Sequence, residues 1–246
     1  SLGLVCEELE AVDSTLRVVM SVHVGLNSLG LFQWASEEQK QRFLVPQARG
    51  DKIACFGLTE SGAGSDVAAM HSSARLDGDD YILNGEKMWI SLATKADHVL
   101  WIGRSLQTED PHDGLSAFLV ELDRPGVSRG DIHGKLGVRA GSTGWIAFQD
   151  VRVPVQNRIG LEGEGFKIAM SCLDNGRYTV AAGATGLIRA SLDASLVYAH
   201  EREAFGRKIG KFQLVQQKIA HMVQFYESAR LLYLRAGWMK NQGLRN

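Results

Sequence analysis

Cysteine is scarce in this sequence: Cys6, Cys55 and Cys172 are the only three among 246 residues. Because they are odd in number and far apart, they argue against the disulfide framework of small secreted proteins and favour a reducing compartment. A bacterial cytoplasm or a mitochondrial matrix would fit. The sequence also lacks a Cys-x-x-Cys pair and two histidines at ligand spacing, so we predict no metal site.

An excess of charge of one sign is lacking as well. The formal net charge is -1, which gives no indication of nucleic acid or an anionic membrane as a partner. No apolar run approaches the roughly 20 residues that cross a bilayer, so we predict no membrane span. With 45% apolar and 22% charged residues, the composition is that of an ordinary globular protein.

The chain begins with helical patterns over residues 2–49, where apolar residues recur at helical spacing. Ser36 is a predicted N-cap because two glutamates and a glutamine follow it. That helix is expected to end at about Val45, just before Pro46. His23 lies among apolar residues, where a hydrogen-bonded core histidine is more frequent than a ligand. Because the chain opens directly on this pattern, we expect it to be part of a longer protein.

The pattern changes to short segments between residues 53 and 154, with Gly and Asp at intervals of about 8–12 residues. Asp77-Gly78 predicts a hairpin turn, and Asn84-Gly85 predicts a second turn. Compact apolar strands are expected at Val99–Gly103 and Ala117–Val120. A run of strands with this punctuation predicts a small antiparallel barrel or sandwich.

Two long helices are predicted after the strands, at Gly163–His200 and Phe212–Trp238. A four-helix bundle needs more helices than these two, so we expect the others to be missing from the sequence or supplied by another chain. The predicted fold is α+β and multidomain. It has a helical domain at 1–50, a middle antiparallel β-barrel at 51–157 and a partial C-terminal helical bundle at 158–246.

The most informative stretch is Cys55–Met70, with the sequence CFGLTESGAGSDVAAM. An apolar run enters a loop in which glycines allow close approach to a flat ligand or an anion. Hydroxyls at Thr59 and Ser65 could bond polar ligand atoms. The G-x-G-x-x-G spacing fails and a strand follows, so a Rossmann phosphate turn is not predicted. From local chemistry alone, an ordinary Gly/Ser turn between strands remains the alternative.

Four segments, in this order along the chain, resemble the signatures of the acyl-CoA dehydrogenase family. They are FGLTESGAGSD at Phe56–Asp66, NGEKMWIS at Asn84–Ser91, LGVRAGST with FQDVRVP between 136 and 154, and EREAFG from Glu201 with Gln213 beyond it. The resemblance covers essentially the whole chain. It implies the same succession of a helical domain, a β-barrel and a four-helix bundle that the patterns predict.

The resemblance also implies FAD as the cofactor. The Thr59 hydroxyl and nearby backbone would bond the pyrimidine edge of the flavin, Trp89 would cover one side of the ring, and Ser91 would place its hydroxyl near N5. Without the resemblance, Thr59 would be read as a cap or turn residue and Trp89 as plain core. The full implied FAD-binding set is Phe56, Leu58, Thr59, Gly64, Ser65, Trp89, Ile90, Ser91, Arg202, Phe205 and Gln213.

Substrate and subunit roles follow from the same resemblance. Ser65 would touch an acyl-CoA substrate, and Arg177, with Asp174 beside it, would recognise the CoA arm. From the residues alone, this pair at helical spacing would be a surface ion pair of little energy. The last three members of the FAD set would reach the cofactor of a neighbouring subunit, which implies a homodimer or homotetramer.

The implied reaction converts an acyl-CoA thioester to trans-2-enoyl-CoA in fatty acid or amino acid catabolism, with electron-transfer flavoprotein as the acceptor. The family's usual base is a Glu after the two long helices, and we expect it beyond Asn246. Some relatives place it one residue before the match to Arg177, but that position is Gly176 here. An acyl-CoA oxidase-type relative and a non-catalytic homologous subunit remain alternatives.

Overall fold

The computed structural model describes residues 2–244 and divides the chain into two compact units. The sheet unit is Val18–Gly176, and the helical unit combines the described residues 2–17 and 177–244. These divisions fall at other places than the predicted domain boundaries. The observed succession of helices, strands and helices is the one that the sequence predicts.

The sheet unit is built on an eight-stranded sheet. Most neighbours pair antiparallel, with the strand order β6-β7-β3-β2-β4-β5-β8, while β1 and β2 each pair parallel with β4. The strands are β1 Ala54–Gly57, β2 Ser73–Asp77, β3 Asp80–Ser91, β4 His98–Arg104, β5 Leu115–Glu121, β6 Val127–Asp131, β7 Thr143–Pro154 and β8 Arg158–Ile159. Alternation of apolar residues does not distinguish parallel from antiparallel partners, so the sequence did not show the parallel pairings.

The two predicted turns have opposite outcomes. The hairpin at Asp77-Gly78 is confirmed: Asp77 pairs with Asp80, and Gly78 has a φ of 65°. The turn at Asn84-Gly85 is wrong, because β3 runs straight through both residues with only a register shift. The Asn84 amide donates to Asp150 Oδ1 at 3.0 Å and its oxygen accepts from the Asp150 N–H at 3.0 Å. These two bonds join Asn84 to β7 within the β3–β7 pairing.

The helices of residues 2–49 are more broken than expected. Their segments are α1 Leu2–Val12, α2 Ser14–Val19, a π-helical stretch Met20–Ser28, α3 Leu29–Trp34, α4 Glu37–Gln39, a π-helical stretch Lys40–Leu44 and α5 Val45–Arg49. The N-cap at Ser36 is confirmed, with a reciprocal capping box to Gln39. The predicted end at about Val45 is wrong. Pro46 occupies the first turn of α5, where its missing N–H costs little, and the helix ends at Gly50 with a φ of 81°.

The helical unit contains α1, the part of α6 (Gly165–Glu201) from Arg177 onward, and α7 (Gln213–Asn241). Between α6 and α7 lies a short hairpin of β9 Glu203–Ala204 and β10 Arg207–Lys208. The buried Glu7 carboxylate of α1 accepts hydrogen bonds from the Tyr226 and Tyr233 hydroxyls of α7. Gly186 of α6 lies against the Glu7 carbonyl oxygen, so α1 and α6 approach at backbone distance.

Two helical stretches, Ser14–Trp34 and Gly165–Glu201, are long and apolar enough to cross a membrane by length and composition, each with a mean hydropathy of 1.2. This corrects the expectation that no segment reaches that length. Core helices of globular domains satisfy the same criterion, so the observation carries no argument for membrane insertion.

Candidate functional site

The glycine-rich loop predicted from Cys55–Met70 leaves the sheet after β1. Glu60 and Ala63 form a small antiparallel bridge at its base. Beyond the bridge, Gly64, Ser65 and Asp66 are exposed. A Cβ built on Gly64 would meet nothing within 4 Å, so the space in front of this backbone is open. The loop can therefore receive a ligand against its main chain.

Trp89 lies at an irregularity in β3. The register shifts between Met88 and Ile90, and Trp89 has a φ of 61°, a conformation that bulky residues rarely adopt. Its side chain is 60% exposed, whereas Ile90 is only 3% exposed. Strained, exposed aromatic residues are typical of functional sites, where the conformation has a use beyond stability.

The loop and the Trp89 irregularity are directly joined. The Met88 N–H donates to the Thr59 carbonyl oxygen at 2.8 Å. Two residues further along β3, Ser91 pairs with Thr143 of β7. Within residues 2–244, the side-chain hydroxyls of Thr59 and Ser91 have no hydrogen-bond partner, and both residues are only partly buried. We call Thr59, Trp89 and Ser91 the Trp89 strip: an exposed indole with an available hydroxyl group on either side of it along the paired backbone.

A buried ion pair that the sequence does not reveal lies behind the Trp89 strip. Lys87 donates from Nζ to Glu60 Oε1 at 2.8 Å and to the Leu58 carbonyl at 3.2 Å. Burial lowers the pKa of Lys87 to about 8, although the attraction of the Glu60 carboxylate acts to raise it. Burial also opposes ionisation of Glu60, but Lys87 and the backbone N–H groups of His71 and Ser72 outweigh it and lower the pKa of Glu60.

Within the sheet unit, side chains from the helical stretches before β1 form a hydrogen-bonded network that supports this strand. His23 is hydrogen-bonded within the fold, as predicted, but only partly buried: its Nδ1 accepts from the Ala54 N–H at 3.1 Å, and its Nε2 lies 3.2 Å from the Gln47 carbonyl oxygen. Gln47 Nε2 also contacts His98 Nε2. Burial lowers the pKa of His98 to about 4, although the Asp97 and Glu121 carboxylates act in the opposite direction.

The remaining predicted flavin residues of the sheet unit have buried side chains. Phe56, Leu58 and Ile90 belong to the hydrophobic core. Phe56 lies opposite Leu100 in the parallel β1–β4 pair. The Leu58 carbonyl is already occupied by Lys87. Only backbone groups of these three residues can therefore face a ligand.

The predicted substrate residues are exposed in both units. Ser65 has no hydrogen-bond partner for its hydroxyl within the described part of the chain. Asp174 lies on α6, two residues before the sheet unit ends at Gly176. Arg177 is exposed in the helical unit.

The predicted inter-subunit residues lie at one turn of the helical unit. Phe205, at the tip of the β9–β10 hairpin, is 95% exposed and has a φ of 53°. Its ring makes an edge contact with Phe212, with 6.1 Å between ring centroids. Arg202 and Gln213 are also exposed. A fully exposed aromatic residue at a strained tip is unusual for an isolated surface and is typical of a contact point.

A cleft of about 350 Å³ lies beside the far end of the Trp89 strip and is lined by Lys95 and by residues 131–135 and 139–142. The Leu92 N–H donates to the Ser142 carbonyl at 2.9 Å, which brings this loop next to Ser91. Ser142 and Thr143 belong to the LGVRAGST segment, but the sequence alone indicates no site role for them. Their proximity depends on the β3–β7 pairing, which no local pattern reveals.

Comparison with known families decides the relationship. Three family models match in chain order: acyl-CoA dehydrogenase, N-terminal domain, at residues 1–51; acyl-CoA dehydrogenase, middle domain, at 55–151; and acyl-CoA dehydrogenase, C-terminal domain, at 163–246. The chain belongs to the acyl-CoA dehydrogenase family. The predicted resemblance and the predicted fold class are thereby confirmed.

Individual relatives agree with this assignment. The chain is 41% identical over 239 residues to the short-chain specific acyl-CoA dehydrogenase of mouse mitochondria, covering 97% of this chain and 58% of the mouse protein. A solved structure described as the electron transferring flavoprotein of Acidaminococcus fermentans matches with a TM-score of 0.94 at 41% identity, covering 98% of this chain and 63% of the other. The glutaryl-CoA dehydrogenase of Mycobacterium smegmatis in complex with FADH2 matches with a TM-score of 0.92 at 39% identity, covering 99% and 61%. The chain thus spans about three fifths of the length of these relatives.

Proposed function

We propose that this chain is the flavin-binding part of an FAD-dependent acyl-CoA dehydrogenase that converts a short-chain acyl-CoA to the trans-2-enoyl-CoA. The observation that carries the proposal is the Trp89 strip, in which a strained, exposed indole lies between two side-chain hydroxyls that have no hydrogen-bond partner among residues 2–244. The family membership and the short-chain specificity of the mouse relative support the substrate class.

The residues present fit FAD. An exposed indole offers a flat apolar face for a ring system, and the hydroxyls of Thr59 and Ser91, which no described residue bonds, can bond its polar edge. The exposed main chain at Gly64 leaves open space for close approach. Phe56, Leu58 and Ile90 would contribute backbone groups only. Bound FAD would supply the acceptor for the hydride that leaves Cβ of the acyl chain.

The substrate would lie on the loop side of the Trp89 strip, where Ser65 is exposed, and its CoA arm would be bound by Asp174 and Arg177. Arginine suits this role because its planar guanidinium bonds phosphate and other polar groups in fixed geometry. Electron-transfer flavoprotein is the proposed acceptor, in a bacterial cytoplasm or a mitochondrial matrix. We also retain the division into domains at 1–50, 51–157 and 158–246 as a proposal.

The base that removes the Cα proton is proposed to be a Glu outside this sequence. The alternative family position is Gly176, which has no carboxylate, and a Cβ there would lie 2.6 Å from Leu26 Cδ2. A larger side chain at this position would require Leu26 to move.

A homo-oligomer is proposed to complete the FAD site, with Arg202, Phe205 and Gln213 reaching the cofactor of a neighbouring subunit. Mixing two inactive full-length variants tests this directly. Trp89→Gly would disable one half of the site and Phe205→Ala the other. Activity that returns on co-refolding supports a shared site, and two variants that remain inactive when mixed argue for a site within one chain.

The proposed function is tested with the full-length protein that contains this chain. Purified protein should be yellow, and anaerobic addition of saturated acyl-CoAs of increasing length should bleach it most readily with the short ones. Rapid re-oxidation of the reduced protein by O₂ would instead indicate an oxidase. Bound FAD that no acyl-CoA bleaches would indicate a non-catalytic subunit, and a colourless protein that takes up no FAD would end the flavoenzyme proposal.

A further inference from the structure

The ion pair between Lys87 and Glu60 is buried where neither charge can meet a ligand. The exposed fractions of the two side chains are 0% for Lys87 and 7% for Glu60. Lys87 Nζ also lies 5.3 Å from the centre of the Trp101 ring. Burying two charges costs desolvation free energy, whereas burying two apolar residues of similar size does not. A contribution to stability is therefore a weak explanation for the presence of this buried ion pair.

The segment that the pair holds has few other attachments. The pairing of β1 with β4 ends at Gly57, which lies opposite Trp101. Beyond Gly57, the backbone is held by the Met88 N–H at Thr59 and by the bridge of Glu60 with Ala63. The Lys87 ammonium adds a bond on each side of Thr59, one to the preceding Leu58 carbonyl and one to the following Glu60 carboxylate.

The Glu60 carboxylate extends this attachment to the other end of the loop. Its Oε2 accepts from the His71 N–H at 2.7 Å, and its Oε1 accepts from the Ser72 N–H at 3.0 Å. A single carboxylate therefore joins the start of the glycine-rich loop, its return toward β2 and the strand that carries Trp89. The geometry of the loop relative to the indole depends on these bonds.

We propose that Lys87 and Glu60 are positioning residues of the flavin site, which fix Thr59 against Met88 and so set the spacing between the Thr59 hydroxyl and the Trp89 indole. The inference rests on the proposed FAD function. A role in sheet stability alone would give the same buried pair, so the test must separate cofactor geometry from stability.

Four variants of the full-length protein make this separation. Lys87→Met removes the ammonium with little change in shape. Glu60→Gln removes the charge with little change in shape and keeps one of the two accepting oxygens. The double variant Lys87→Met with Glu60→Gln leaves no unpaired buried charge, so its thermal stability should recover relative to Lys87→Met. The matched control is Tyr81→Phe, which removes a buried hydroxyl on the same strand that donates to Glu162 Oε1 at 3.0 Å.

The measurements are thermal unfolding without FAD, the dissociation constant of FAD and the visible circular dichroism of the bound flavin. We expect Lys87→Met and the double variant to weaken FAD binding at least tenfold and to change the flavin dichroism. Tyr81→Phe should change the dissociation constant less than twofold, whatever stability it loses. Glu60→Gln should show a smaller change in the same direction as Lys87→Met.

Recovery of both stability and FAD affinity in the double variant would overturn the positioning role, and so would a loss of affinity in Tyr81→Phe equal to that in Lys87→Met. If Lys87→Met does not fold, the thermal stability and FAD affinity of Glu60→Gln and of the double variant test the positioning role in the same way. Wild-type protein that takes up no FAD would instead overturn the proposed function, and the inference with it.

Discussion

The backbone N–H of Met88 donates to the carbonyl oxygen of Thr59 at 2.8 Å. This bond places the first residue of a glycine-rich loop beside the strand irregularity that exposes Trp89. Two motifs nearly thirty positions apart thereby become one surface. The hydroxyl of Thr59 remains available on that surface because no described residue bonds it.

Replacing Trp89 by glycine should separate cofactor binding from stability. Its φ of 61° suits glycine, so Trp89→Gly should change the free energy of unfolding without FAD by no more than about 1 kcal/mol, and relief of strain acts in the stabilising direction. The affinity for FAD should fall at least tenfold, because the stacking surface is lost. Trp89→Phe, which keeps a flat ring, is the control. Unfolding curves and FAD titrations would contradict the account if Trp89→Gly bound FAD normally.

Removing the free hydroxyls should also leave the fold intact. Thr59→Val and Ser91→Ala break no hydrogen bond within the described chain, so each should change the free energy of unfolding by less than about 0.5 kcal/mol. Each should weaken FAD binding about fivefold to tenfold, the usual worth of one hydrogen bond. Ser128→Ala on β6 removes a hydroxyl from an exposed residue and should leave FAD affinity unchanged. If all three substitutions changed FAD affinity equally, the Thr59 and Ser91 hydroxyls would not be part of the FAD site.

Acid should destabilise the protein through His98. Burial lowers the pKa of His98 from 6.5 to about 4, so the folded state binds fewer protons than the unfolded state between these values. The free energy of unfolding should therefore fall as pH falls through this window, by about 3 kcal/mol at most from this residue. Denaturant unfolding of wild type and His98→Gln across pH 4 to 7 measures the difference. An identical pH dependence in both proteins would show that His98 does not titrate abnormally.

The helical unit depends on a glycine where α1 crosses α6. A Cβ on Gly186 would overlap the Glu7 carbonyl oxygen, so Gly186→Ala should lower the free energy of unfolding by about 1–3 kcal/mol through overpacking. Gly137→Ala is the matched control, because a Cβ there meets nothing within 4 Å. Chemical denaturation of both variants would contradict this packing if they were equally stable.

Local sequence patterns predicted the helix caps and turns correctly where a few adjacent residues determine the structure. Ser36 caps its helix, and Asp77-Gly78 closes a hairpin, because capping and tight turns depend on a few adjacent residues. Asn84-Gly85 carries an equally good turn signal but lies within a strand, since its partner Asp150 is far away in the sequence. A local sequence pattern carries no information about a hydrogen bond to such a distant residue.

The same distinction applies to the site. Thr59, Trp89 and Ser91 were predicted together because motif resemblance supplied long-range information, and the structure brings the three residues together; their role toward FAD stays a prediction. Lys87 lies in one of those motifs, but its full burial beside Glu60 was not evident, since a lysine in a polar sequence context is usually exposed. Only the observed pairing of the loop with β3 shows that its ammonium lies inside.

The central claim is that this chain holds FAD where an acyl-CoA can reduce it. The visible absorbance of the full-length protein during anaerobic titration with a saturated short-chain acyl-CoA tests this most directly, with the corresponding trans-2-enoyl-CoA as the control ligand. We predict that the saturated thioester bleaches the flavin band and that the enoyl thioester only perturbs it. A protein that carries no flavin, or whose flavin neither thioester affects, would contradict the account.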